Sequence, residues 1–176
     1  MKVFRINQQQ AYELVAKIPP GTQLISAIKQ KWEVVVIPSD PKFLSGRFPK
    51  TITKYVDDSQ KKSAILRCLS EIYAASCEEN FLAAIEQSGI ACKPAHTFKF
   101  EGGTHRLLEL KPNKKDRLYF YPARDGRKVI FLLMAFHKKD QQTPDEVSGP
   151  CEEEIKKILR SRGNFEFNEE KNVAKK

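Results

Sequence analysis

The sequence predicts an α+β fold: a small twisted antiparallel sheet packed against helices, with an extra helical segment at the N-terminus. Three observations predict it. Between His105 and Pro144, three apolar runs alternate with polar turns, the pattern of an antiparallel meander. Between residues 58 and 89, Ile65, Leu66, Leu69, Ile72 and Tyr73 recur at helical spacing. Trp32 to Ile37 is a short run rich in β-branched residues that stops at Pro38, as a strand does.

Taken in order, residues 1–31 read as a helical extension. Asn7 is placed to cap a helix reaching about Ile18, with Tyr12, Leu14, Val15 and Ile18 on one face. Pro19-Pro20-Gly21 ends it, and Thr22 opens a shorter helix carrying Leu24, Ile25 and Ile28. These apolar residues need cover, so packing on the core is expected. After the strand at 32–37, Ser39-Asp40-Pro41 reads as a helix start, with Phe43 and Leu44 as its buried side and Gly46 as its stop. Arg47 to Val56 shows no clean period and reads as loop or short extended structure. Ser76-Cys77-Glu78-Glu79 matches a capping box, so a second helix is expected there, with Phe81, Leu82 and Ile85 as its stripe and Gly89 at its end.

Thr97 to Phe100 alternates and reads as extended, and Glu101-Gly102-Gly103 as a turn. The meander follows, with one turn at Pro112-Asn113 and a second at Asp125-Gly126, a strong hairpin signal. Thr143-Pro144-Asp145-Glu146 has the composition of a helix start, and Gly149-Pro150 is expected to interrupt that helix. Glu152 to Arg162 then forms its longer piece, and the charged residues from Asn164 onward are expected to be disordered.

Charge is concentrated in the meander. Twelve Lys and Arg against four Asp and Glu lie between Lys93 and Lys139, which accounts for +8 of the chain's net +9. Such a surface beside strand aromatics suits a polyanion, and nucleic acid first. No apolar run approaches the ~18 residues of a membrane span, so no membrane partner is expected. The four cysteines, Cys68, Cys77, Cys92 and Cys151, contain no Cys-x-x-Cys pair, so reduced thiols in a cytoplasm are expected rather than a disulfide framework or zinc site.

The meander also resembles the RelE/ParE superfamily of toxin–antitoxin toxins, and its phage-type HigB-like branch most closely. The residues that carry the resemblance are Glu109-Leu110-Lys111, then Arg117-Leu118-Tyr119-Phe120-Tyr121, then Val129 to Ala135, Phe136-His137-Lys138-Lys139 and Thr143-Pro144 before a closing helix. It covers about a quarter of the chain and implies three parts: the extension at 1–31, a RelE/HigB-like domain at 32–163, and a tail at 164–176. Lysine stands at position 111 where the family has arginine.

The resemblance implies ribosome-associated cleavage of messenger RNA by attack of a 2′-hydroxyl on the adjacent phosphate, a reaction that acids, bases and fixed cations can drive with no metal or other cofactor. It places Arg117 as the phosphate clamp, Lys111 beside it as a second clamp or proton carrier, and His137 as acid or base, because an imidazole titrates near neutrality. Lys138, Lys139, Arg124, Arg127, Lys128, Lys114 and Lys115 would contact the RNA backbone. Tyr119 and Tyr121, two apart on a strand, would stack on bases, worth ~1–3 kcal/mol per contact. The implied partners are a cognate helix-turn-helix antitoxin, mRNA and the ribosome. Two other readings keep the fold: a ParE-type toxin acting on DNA gyrase, and a phage-derived RNA- or protein-binding module without toxicity.

Overall fold

The computed structural model describes residues 1–40, 45–123, 127–138 and 143–168. Its elements are β1 (Lys2–Arg5), α1 (Gln8–Val15), a 3-10 turn (Ala27–Lys29), β2 (Glu33–Val36), α2 (Arg47–Tyr55), α3 (Ser59–Ser76), α4 (Phe81–Glu86), β3 (Ala91–Phe100), β4 (Gly103–Lys111), β5 (Asp116–Ala123), β6 (Val129–His137), α5 (Asp145–Arg160) and β7 (Glu166–Asn168). The fold is α+β. Its sheet has seven strands in the order β3-β4-β5-β6-β2-β1-β7, larger than the small sheet expected, and it is mixed rather than antiparallel. The meander β4-β5-β6 is antiparallel, whereas β2 runs parallel to β6 and β7 parallel to β1.

The sheet is covered on both faces. One face carries Phe4, Val34, Leu110, Leu118, Phe120 and Ile130, packed with Ile52 of α2, Ile65, Leu69 and Ile72 of α3 and Phe81 of α4. The other carries Val3, Val35, Leu107, Tyr119, Phe131 and Leu133, packed with Val147, Cys151, Ile155 and Ile158 of α5. Because successive strand residues point to opposite faces, the meander can be buried from both sides only if it is apolar at nearly every position, as β6 is.

Several expectations are corrected. The N-terminal segment is not a helical appendage: β1 is built into the sheet, and α1, capped by Asn7 and Gln10, is shorter than expected. Residues 22–26 are not helical, and Ile28 on the following 3-10 turn is 96% exposed. Residues 47–55 form α2 because Phe48, Thr51 and Ile52 at i, i+3 and i+4 find a buried face. Ser76 ends α3 instead of capping the next helix, a task taken by Asn80. Pro150 does not split α5. The stripe Val147, Cys151, Ile155 and Ile158 seats the whole helix on the sheet, and that burial outweighs one missing backbone donor. Asn164 to Asn168 is ordered, with Phe165 buried against Phe131 and β7 paired to β1. The expected helix at Pro41, Phe43 and Leu44 and the Asp125-Gly126 turn lie outside the described residues.

Candidate functional site

Register decides which meander residues can act together. Asp116 of β5 pairs with His137 of β6, and Arg117 pairs with Phe136. Neighbours on a strand alternate, so Arg117 and His137 lie on opposite faces of the sheet. β2 accompanies β6 only from Val129 to Leu132, and α2 covers the edge beyond. There the Ala135 N–H donates to Thr51 Oγ1 at 3.1 Å, which satisfies a donor that has no strand partner. His137 therefore emerges at the end of β6, beside the end of α2 and the start of α3.

The imidazole is oriented from behind. His137 Nδ1 lies 2.7 Å from Oδ1 of Asp116, a carboxylate that is itself buried. The turn fixes that carboxylate: Asn113 Nδ2 donates to Asp116 Oδ2 at 2.7 Å, and Asn113 Oδ1 accepts from the Asp116 backbone N–H at 2.7 Å. An ionised Asp116 accepts from Nδ1–H and leaves Nε2 as the basic nitrogen. No described residue hydrogen-bonds Nε2.

His137 lines a cleft of about 490 Å³ with Lys54, Tyr55, Asp57, Lys61, Phe136, Pro144 and Glu146. Tyr55 and Phe136 pack ring against ring at 4.5 Å between centroids. Lys54 Nζ stands 4.7 Å from the Tyr55 ring centroid, and its ammonium is held above its ordinary pKa by that phenol. Lys61 donates to Asp57 at 2.6 Å and lies 3.1 Å from Asp58; Asp57 and then Asp58 raise its pKa, and Lys61 lowers theirs. The cleft thus joins an oriented imidazole, two ammonium groups and an aromatic wall.

The expected clamp is not there. Arg117 is 3% exposed and serves the β4–β5 turn: Nη1 donates to the carbonyls of Asn113 and Asp116 at 2.8 and 2.6 Å, and Nη2 donates to that of Lys114 at 3.0 Å. Its Nε lies 3.4 Å from Glu109 Oε2, and Lys138 Nζ, also buried, lies 3.4 Å from the same oxygen. Lys111 shares the face of Glu109 and Arg117, not that of His137. Tyr119 is fully buried, its phenol pushed well above the usual range by burial and then by Glu109, so it offers no face to a base. Tyr121 is half-buried and lines a second cleft. Lys114 and Lys115 are exposed on the turn beside Asp116. Lys128 is ion-paired with Glu79, and Arg127 lies 4.9 Å over the Phe167 ring, both at the far end of β6. Arg124 and Lys139 lie outside the described residues.

Sequence reasoning did not find Asp116, Lys54, Tyr55 or Lys61. Asn113 followed three residues later by Asp116 is the signature of a side-chain-closed turn and was the signal available for the first. The others arrive through α2 and α3, from outside the meander. Among the described residues no group of three or more His, Cys, Asp or Glu side chains is placed to hold a metal, and no helix is long and apolar enough to cross a membrane. Compared with models of protein families, with curated proteins and with solved structures, the chain matches none of them.

Proposed function

We propose that this chain is a toxin of the RelE/ParE kind that cleaves messenger RNA at the ribosome, with the His137 cleft as its active site. The observation that carries the reading is the Asp116–His137 dyad: a buried carboxylate fixes the imidazole while Nε2 stays open to a cleft with ammonium groups on its rim. In the proposed step His137 Nε2 takes the proton of a 2′-hydroxyl. The 2′ oxygen bonds to the adjacent phosphorus, the bond to the 5′ oxygen breaks, and that oxygen takes a proton from water in the open cleft. Lys54 and Lys61 face the charge that grows on the phosphate. The 2′,3′-cyclic phosphate and the 5′-hydroxyl account for every atom. The three-stranded meander and the closing helix α5 support the resemblance on which the toxin reading rests. A cognate antitoxin would cover this cleft.

One observation favours a second reading. Arg117 and Lys138, the cations that the resemblance would set against phosphate, are interior. A ParE-type toxin that binds DNA gyrase and cuts nothing has no need of them. Induced expression separates the two. Under the nuclease reading, growth stops with rapid loss of message, and His137→Ala restores both. Growth arrest with DNA damage and intact message would overturn it.

A further inference from the structure

The second cleft carries chemistry that the cleavage site does not use. It holds about 440 Å³ between α4 and the outer strands β3, β4 and β5. Its walls are apolar: Leu82 comes from α4, Leu108 from β4, and Tyr121 and Pro122 from the end of β5, all half-buried. Lys93 and Arg106 also line it, both exposed, and neither is ion-paired or hydrogen-bonded through its side chain to any described residue. That sets them apart from Lys61, paired with Asp57 and Asp58, and from Lys128, paired with Glu79. Glu86 adds one carboxylate on the α4 side.

Two unpaired cations beside a half-buried apolar and aromatic wall suit a ligand with an anionic end and a flat body. A guanidinium grips two phosphate oxygens at once, and a ring and aliphatic surfaces take the face of a base. A carboxylate opposite would repel a second phosphate, but it accepts hydrogen bonds from ribose hydroxyls or a base amino group. We propose that this cleft is a binding site for a ribonucleotide unit, with its phosphate on Arg106 and Lys93 and its base against Leu82, Leu108 and Pro122. Five residues of β5 separate Asp116 from Tyr121, roughly 17 Å at the rise of a strand. One nucleotide cannot span both clefts, so this site acts as a separate subsite. The choice of an RNA strand over a free nucleotide as its natural occupant rests on the cleavage reading; the binding chemistry does not.

Isothermal titration of the full chain with AMP, adenosine and inorganic phosphate, and fluorescence anisotropy with a single-stranded oligoadenylate, test the site. AMP is expected to bind more tightly than adenosine or phosphate alone. The double substitution Lys93→Ala/Arg106→Ala is expected to weaken AMP by about tenfold or more, since two charge-assisted contacts are lost, with an unchanged thermal melt. His137→Ala is expected to bind AMP as the unaltered chain does. Binding of AMP and oligoadenylate together marks a strand subsite, and AMP alone marks a free nucleotide; either supports the proposal. AMP affinity no better than that of phosphate, or unchanged in the double variant, overturns it. If AMP binds at this cleft while message stays intact in expressing cells, the cleavage reading falls and this site stands. If message is cut but AMP does not bind, the reverse holds.

Discussion

At the scale of the residue, Asp116 and Arg117 show how adjacent positions take unrelated work. Asp116 turns toward His137 and aims it, while Arg117 turns to the other face and ties three turn carbonyls together. Removing the guanidinium would leave those carbonyls and Glu109 without their donors in a place water does not reach. Arg117→Ala is therefore expected to lower the unfolding free energy by about 3 kcal/mol or more, read from the midpoint of a urea titration; a stable fold with only lost activity would return Arg117 to the active site. Glu154 gives a pH signature. Burial raises its pKa above the ordinary 4.5, more than Arg47, 3.1 Å away, lowers it. The folded chain then binds this proton more tightly than the unfolded one, so Glu154's contribution to stability is present at low pH and is lost as pH rises above about 4.5. Glu154→Gln should flatten that part of the melting-temperature profile. None of this was legible in the sequence: an arginine that opens a strand and a glutamate on a helix read as surface, and only the register and the docking of α5 make them interior.

At the scale of the element, legibility followed length and period. β4, β5 and β6 are long and bounded by turn residues, and the Glu101-Gly102 turn between β3 and β4, with φ of 46° and 80°, has the positive pair that a two-residue hairpin requires. β1 and β7, of four and three residues, are too short to show alternation and exist because a neighbour offers them an edge. α2 was readable in principle from Phe48, Ile52 and Tyr55 at i, i+4 and i+7, but Pro49 and the threonines masked it. Its entry depends on Gly46, whose φ is +116° and whose missing Cβ leaves room for the carbonyl oxygen of Ile37. Gly46→Ala is expected to cost at least ~2 kcal/mol in strain and to loosen α2 from the β6 edge, so that hydrogen exchange at the Ala135 amide rises together with the drop in melting temperature. Protection of that amide equal to the unaltered chain would show that α2 does not depend on this glycine.

At the scale of the whole molecule, the fold uses the basic meander differently from what charge alone suggested. Part of the excess charge is interior, on Arg117 and Lys138, and holds the β4–β5 turn and the end of β6 together. The exposed part is divided between the two ends of β5: Lys114 and Lys115 beside the dyad, and Lys93 and Arg106 around the second cleft. α2 and α3, which the resemblance left unspecified, complete the cleavage cleft with Lys54, Tyr55 and Lys61. The proposed active site therefore depends on contacts distant in sequence, and no motif in the meander could have contained it. The most direct measurement is primer extension on a message in a translating extract supplied with the purified chain or with His137→Ala. General acid–base groups contribute about 10²–10⁴-fold. The account predicts new 5′ ends with the unaltered chain and a loss of about a hundredfold or more with the variant. Cleavage by His137→Ala at the unaltered rate would contradict it.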